Sequence, residues 1–320
     1  MLKHRLTFGP ILILGLLLVF WLDGWLDHVE LEGSMKRLFM DRSHLPSGLA
    51  FFALGLAVLP PAAWELTRIF RANHIMASLR MTTFAAVFGY MIHFIIPSET
   101  EPLSAVAVVC TGLVIMFVFA LAWYSRDQNV EGVVAAAGGT MFAMIYLGLM
   151  LGFLLAIRRW NSPWLIVSIV LTTKSCDIGA YFTGRWLGRH KLIEWLSPKK
   201  TWEGLIGGLL TSTGVALLLC WWGQTLDPMV DVDGTMMPLG YEVREGLRYQ
   251  LHFHPLLAGV AGFLFGLTGQ AGDLTASLLK RDAGIKDSSS VIPGFGGVLD
   301  VLDSPLLVAP LAYWMLRLAG

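Results

Sequence analysis

Five aspartates, three cations and a glycine-rich turn fall within one stretch, Asp273 to Ser304. The stretch reads DLTASLLKRDAGIKDSSSVIPGFGGVLDVLDS and lies between two apolar segments. Carboxylates can hold hard cations through oxygen, cations can hold phosphates, and glycines let backbone N–H groups approach an anion. Asp273, Ser277 and Lys280 or Arg281 follow one another at helical spacing, which sets a carboxylate, a hydroxyl and a cation in a row. Asp300 and Asp303 are three residues apart where the last apolar segment opens. Asp273, Asp300 and Asp303 could bind one or two hard cations. The competing reading is structural: Asp300 or Asp303 caps the last helix, and Asp273 pairs with Lys280 or Arg281. Lys286, Asp287 and the turn Pro293-Gly294-Phe295-Gly296-Gly297 complete this loop.

A second constellation runs from Lys174 to Gly208. Lys174, Asp177, Tyr181 and Arg185 share one helical face. A charge inside an apolar span is costly and usually faces a cavity or a partner. Gly179, Gly184 and Gly188 offer a small-residue packing surface. Ser197-Pro198-Lys199-Lys200-Thr201-Trp202-Glu203-Gly204 reads as a turn leading into a helix. Two lysines beside a helix N-terminus make a phosphate site; the alternative is lysines that snorkel to lipid headgroups.

The elements that must position these groups are membrane-spanning helices. The chain has 320 residues, 55% of them hydrophobic and only 14% charged, where a soluble domain carries about 25% charged. The composition is that of an all-α, polytopic integral membrane protein. Formal net charge is +0, so no global field argues for nucleic acid. Cys110, Cys176 and Cys220 lie in apolar stretches without metal or disulfide spacing. A bilayer core needs about 20 apolar residues per helix. About nine spans are expected, roughly 8–24, 47–65, 78–96, 102–124, 133–157, 163–184, 203–223, 254–278 and 304–319, the first being a retained helix rather than a cleaved signal. The expected organisation is one continuous membrane domain, 1–160 holding the first five spans and 161–320 the motifs. Lys and Arg favour cytoplasmic loops. With the N-terminus inside, Lys3 and Arg5, the Arg68–Arg80 set, the Arg185–Lys200 set and Lys280–Lys286 all face the cytoplasm, and both polar loops with them. Arg158 and Arg159 fall on the wrong side, and so do Lys36, Arg37 and Arg42, although acids accompany them. The small-residue helix faces permit a homodimer without requiring one.

The two polar stretches together resemble the phosphatidate cytidylyltransferase (CDP-diacylglycerol synthase) family. The resemblance is carried by Gly272-Asp273-Leu274-Thr275, by Ser277, Lys280-Arg281 and Lys286-Asp287, by Pro293-Gly294-Phe295-Gly296-Gly297, and by Leu299-Asp300-Val301-Leu302-Asp303-Ser304. The earlier GAYFTGRWLGRHKL and SPKKTWEG segments are similar as well. Phe295 and Val301 stand where the family carries His and Arg; Arg189 and His190 are candidate replacements. The resemblance implies that CTP and phosphatidate give CDP-diacylglycerol and pyrophosphate at the cytoplasmic face of a bilayer, a bacterial inner membrane by composition. It implies Mg²⁺, with room for a second cation, on Asp273, Asp300 and Asp303. Lys280, Arg281, Lys286 and Asp287 would then serve the phosphates catalytically. Asp177, Ser197, Lys199, Lys200, Thr201, Ser277, Gly296 and Gly297 would bind substrate. The rival readings are a CTP-dependent lipid-alcohol kinase and a membrane transporter, which the polar groups' position at one surface disfavours.

Overall fold

The computed structural model describes residues 2–31, 36, 44–96, 101–126, 130–226, 229–232, 235–238, 253–285, 288–289 and 296–319. In chain order the elements are α1 (Leu2–Leu26), α2 (Leu49–Ala72), α3 (Leu79–Ile95), α4 (Pro102–Ser125), α5 (Val133–Trp160), α6 (Pro163–Leu187), β1 (Lys191–Ile193), β2 (Ser197–Thr201), α7 (Trp202–Leu226), β3 (Met229–Val232), β4 (Thr235–Pro238), α8 (Pro255–Asp282) and α9 (Val298–Ala319). Among the described residues, eight helices are long and apolar enough to cross a membrane, and α3 is a shorter apolar helix. The chain is an integral membrane protein of helices, with two small antiparallel hairpins, β1–β2 and β3–β4. Helices are what an apolar chain must form in lipid, because each satisfies its own backbone groups.

The expected spans all coincide with helices, but several helices run past the expected ends. The largest difference is α9, which begins at Val298 rather than near residue 304 and so takes Asp300 and Asp303 into its first turns. Its first amides are capped from outside by a buried carboxylate on α2, described below. The Ser197–Thr201 segment, expected as a turn, is a strand: Lys191 pairs with Thr201 and Ile193 with Ser197. Edge pairing with Lys191–Ile193 satisfies backbone that a simple turn would leave to water.

The α6, α7 and α8 helices pack against one another, and α8 against α9. Two glycines show why they come so close. A Cβ on Gly208 would lie 2.7 Å from the Cys176 carbonyl oxygen, and one on Gly272 would lie 2.5 Å from that of Asp303.

The two ends of the bundle are both polar and differ in kind. At one end Arg158, wholly buried, donates Nε to Asp23 Oδ2, Nη2 to Asp27 Oδ2 at 2.5 Å and to the Asp23 carbonyl at 3.2 Å, and Nη1 to the Asn161 carbonyl at 3.0 Å. Asp23 Oδ1 accepts from the amides of Ala50 and Phe51 at 2.8 and 3.1 Å, at the start of α2. Arg159 beside it donates to the carbonyls of His93 and Ile96, at 2.9 and 2.7 Å, closing α3. Two of the arginines that break the charge asymmetry of the loops, Arg158 and Arg159, are therefore bonded to the fold itself, joining α1, α2, α3 and α5. The opposite end is open and carries the sequence motifs.

Removing one partner of a buried ion pair strands the other and costs about 3–5 kcal/mol. Arg158→Met should therefore lower the thermal unfolding midpoint in detergent sharply, with Asp23→Asn milder because an amide oxygen still accepts. A midpoint unchanged in Arg158→Met would show that the clip is not structural.

Candidate active site

A cleft of about 290 Å³ opens at the motif-bearing end, walled by α6, the β1–β2 hairpin, the start of α7, α8 and the first turns of α9. Three lysines (Lys174, Lys199, Lys200) and four aspartates (Asp177, Asp273, Asp300, Asp303) line it, together with Tyr181, Thr201 and Gln270. The three- and four-residue helical spacing predicted for α6 holds: Lys174 and Asp177 approach to 3.7 Å, and Arg185 donates to the Tyr181 hydroxyl at 3.1 Å.

The charges interlock across helices. Lys174 Nζ lies 3.3 Å from Asp303 Oδ1 and donates to Ser304 Oγ at 3.2 Å, joining α6 to α9. Lys200 Nζ lies 2.6 Å from Asp273 Oδ2 and donates to Gln270 Oε1 at 2.9 Å, joining the hairpin to α8. Gln270 Nε2 in turn donates to Asp177 Oδ1 at 2.7 Å. Asp273 therefore pairs with Lys200, and not with Lys280 or Arg281 on its own helix. Asp303 is buried, so its pairing with Lys174 is worth more than a surface pair would be.

Asp300 is the centre of a second group. Its Oδ1 is 2.6 Å from Lys280 Nζ. Its Oδ2 accepts from Ser288 Oγ and from the Gly297 amide, each at 2.9 Å. The glycine turn expected to offer N–H groups to a substrate anion thus offers one of them to the protein's own carboxylate. Gly296 has φ +98°, which favours glycine, and this lets the chain turn back so that the next amide meets Asp300.

Behind Asp300 stands Glu65 of α2, fully buried. It accepts from Ser288 Oγ at 2.9 Å, Ser289 Oγ at 2.6 Å, and the Val298 and Leu299 amides at 2.8 Å each. One turn further along α2, Arg68 donates to the Ser288 carbonyl at 3.3 Å. An anion at a helix N-terminus meets both the free N–H groups and the positive end of the helix dipole. This is why α9 can start as early as Val298.

Of the residues expected to act, Asp177, Lys199, Lys200, Thr201, Asp273, Asp300 and Asp303 line the cleft. Thr201 also caps α7, its Oγ1 accepting from the Gly204 amide at 3.1 Å. Lys280 is held on Asp300 and, like Ser197, Ser277 and Arg281, does not line the cleft. Gly296 and Gly297 form the turn behind Asp300. Lys286, Asp287 and Phe295 lie outside the described residues, and Val301 is exposed. His190 lies 2.6 Å from Glu203 and not in the cleft. No three His, Cys, Asp or Glu side chains form a metal-binding group among the described residues; each acidic wall residue answers to a cation or amide instead. Sequence reasoning passed over Glu65 and Gln270. The signal for Glu65 was present: a lone acid in an apolar span is expensive and needs a partner.

Comparison with known proteins finds similarity over most of the chain. The profile of the cytidylyltransferase family matches residues 41–319. A phosphatidate cytidylyltransferase of Bacillus subtilis is 30% identical over 278 residues, covering 86% of this chain and 90% of that protein. One of Haemophilus influenzae is 28% identical over 279 residues, 81% of this chain and 88% of that protein. One of Synechocystis is 39% identical over 144 residues, which span 45% of this chain and only 40% of that protein.

The Gly272 backbone lies against that of Asp303, so Gly272→Ala should lower the unfolding midpoint by about 1–2 °C for each kcal/mol of strain in a chain of this length. Gly214→Ala, whose Cβ would meet nothing within 4 Å, should leave the midpoint in place or raise it. Equal midpoints for the two variants would refute the packing argument.

Proposed function

The chain belongs to the cytidylyltransferase family, and on that premise we propose that it joins CTP to phosphatidate, giving CDP-diacylglycerol and pyrophosphate. The observation that carries the reading is the cleft wall of three lysines and four aspartates at one end of an apolar bundle. A phosphate oxygen of phosphatidate attacks the α-phosphorus of CTP, and the bond from that phosphorus to the oxygen bridging to the β-phosphorus breaks. The nucleophile is already anionic, so no strong base is needed. The obstacle is bringing two polyanions together and releasing a third.

Lys199 and Lys200, on the strand leading into α7, are suited to hold the triphosphate, and Lys174 to meet the phosphate of the lipid. Lysines that stabilise charge developing on the leaving group act where water is scarce and are worth most there. Four aspartates face three lysines on the wall, so a bound triphosphate needs added positive charge, which a hard cation on carboxylate oxygens freed from their lysines would supply. Asp273 and Asp303 would hold Mg²⁺, which would screen the phosphates and the leaving pyrophosphate, while Asp300, held by Lys280, Ser288 and Gly297, would flank them. Lys280 would keep Asp300 in place rather than touch substrate.

The lipid would enter from the side. Trp186, Trp195 and Trp202 are exposed on the elements around the mouth, and tryptophan favours the headgroup layer. Tyr181 and Leu192 give the cleft an apolar flank. The active end would face the cytoplasm: Arg68, Arg71, Arg80, Arg185, Lys191 and Lys199 all belong to it. Of the cations that oppose this orientation, Arg158 and Arg159 are tied up in internal bonds. A bacterial inner membrane suits these features.

Purified protein in detergent, given phosphatidate, Mg²⁺ and α-³²P-labelled CTP, should move label into the lipid with matching pyrophosphate release. Label reaching the lipid from γ-³²P instead would identify a kinase and overturn the reading. Asp303→Asn and Lys200→Ala should each lower turnover on the order of 10²-fold; wild-type turnover in both would remove the cleft from the reaction.

A further inference from the structure

We propose that Glu65 is a positioning residue for this reaction, setting the start of α9 and through it the placement of Asp300 and Asp303 in the cleft. The inference rests on the proposed cytidylyl transfer. It reaches into the N-terminal half, where no motif pointed.

The geometry is one-directional. Glu65 is fully buried on α2, and four donors converge on it within 2.6–2.9 Å. Two are hydroxyls, of Ser288 and Ser289; two are the amides that open α9. Four donors converging on one side chain call for a group with two acceptor oxygens and no donor of its own, which a carboxylate supplies. Glutamine would turn an NH₂ toward one pair of donors and lose that pair.

Ser288 is the link to the cleft. Its hydroxyl lies 2.9 Å from Glu65 Oε2 and 2.9 Å from Asp300 Oδ2, so one proton is shared between the positioning carboxylate and the cleft carboxylate. Asp300 in turn fixes Lys280. Asp303 follows one helical turn later and meets Lys174. Losing the Glu65 contacts therefore frees the first turn of α9, which shifts both aspartates relative to α6 and α8. A purely structural acid would affect how much protein folds. A positioning acid also changes what the folded protein does.

Glu65→Gln, Ser288→Ala and Ser289→Ala, each in the full chain in detergent, separate the two. The readings are kcat and KM for CTP per folded molecule, the Mg²⁺ concentration for half-maximal rate, and amide hydrogen exchange across residues 296–303. A lost hydrogen bond to a charged group is worth about tenfold or more. Glu65→Gln should lower kcat by at least that factor, raise the Mg²⁺ requirement, and speed exchange in 296–303 while other helices keep wild-type protection. Ser288→Ala, which removes the hydroxyl shared with Asp300, should show the same pattern on the order of tenfold, and Ser289→Ala, which keeps that hydroxyl, a smaller one. Wild-type kcat and Mg²⁺ requirement in folded Glu65→Gln would overturn the proposal. If that variant does not fold, Ser288→Ala decides by the same two readings. If the wild-type chain transfers no cytidylyl group, the functional reading fails, and exchange alone decides: faster exchange confined to 296–303 supports the positioning role, and unchanged exchange overturns it.

Discussion

A polar group inside an apolar helix bundle has no water to fall back on, so it must find its partner within the protein. Both ends of this molecule are built by that constraint. At one end Arg158 gathers Asp23, Asp27 and two carbonyls into a closed clip. At the other, Glu65 gathers two serines and two amides, and lysines from three elements meet the aspartates. The closed end ties α1, α2, α3 and α5 together. The open end leaves a cleft because its partners come from elements that converge without filling the space between them.

That convergence depends on small residues as much as on charge. Lys174 reaches Asp303 only because α6 and α9 both lie close to α8, and Gly272 lets the α8 backbone touch the carbonyl of Asp303. Gly208 does the same between α6 and α7. In lipid, where apolar area gives no preference for helix against helix, close packing is what holds neighbours together. The same seams that bind the helices therefore fix the distances between charged groups that sit on different helices.

Much of this was legible in the sequence. Apolar runs located the helices, and the face shared by Lys174, Asp177, Tyr181 and Arg185 followed from spacing alone. The aspartates 273, 300 and 303, read from the sequence as candidate ligands of a hard cation, stand together on the cleft wall. Their partners were not legible. Asp273 has cations seven and eight residues along its own helix, yet it meets Lys200 from the hairpin, a pairing set by how α7 and α8 pack. The start of α9 was placed too late for a related reason. Periodicity marks where apolar character begins, whereas the helix begins where its amides find an acceptor, and that acceptor is Glu65, more than two hundred positions earlier in the chain.

The lysine–aspartate pairs have a bearing on the proposed chemistry. A lysine fixed to one carboxylate is held in place at little entropic cost, ready for a second anion. When a triphosphate competes for Lys200 or Lys174, the aspartate it leaves must find another positive charge, because burial makes an unpaired carboxylate costly. Binding of nucleotide and of a hard cation would then be coupled through the same side chains, each making room for the other's charge. Asp300 stands apart from this exchange, since its oxygens answer to Lys280, Ser288 and a backbone amide. It gives the wall a fixed point against which the exchanging pairs can move, and Glu65 is what fixes it.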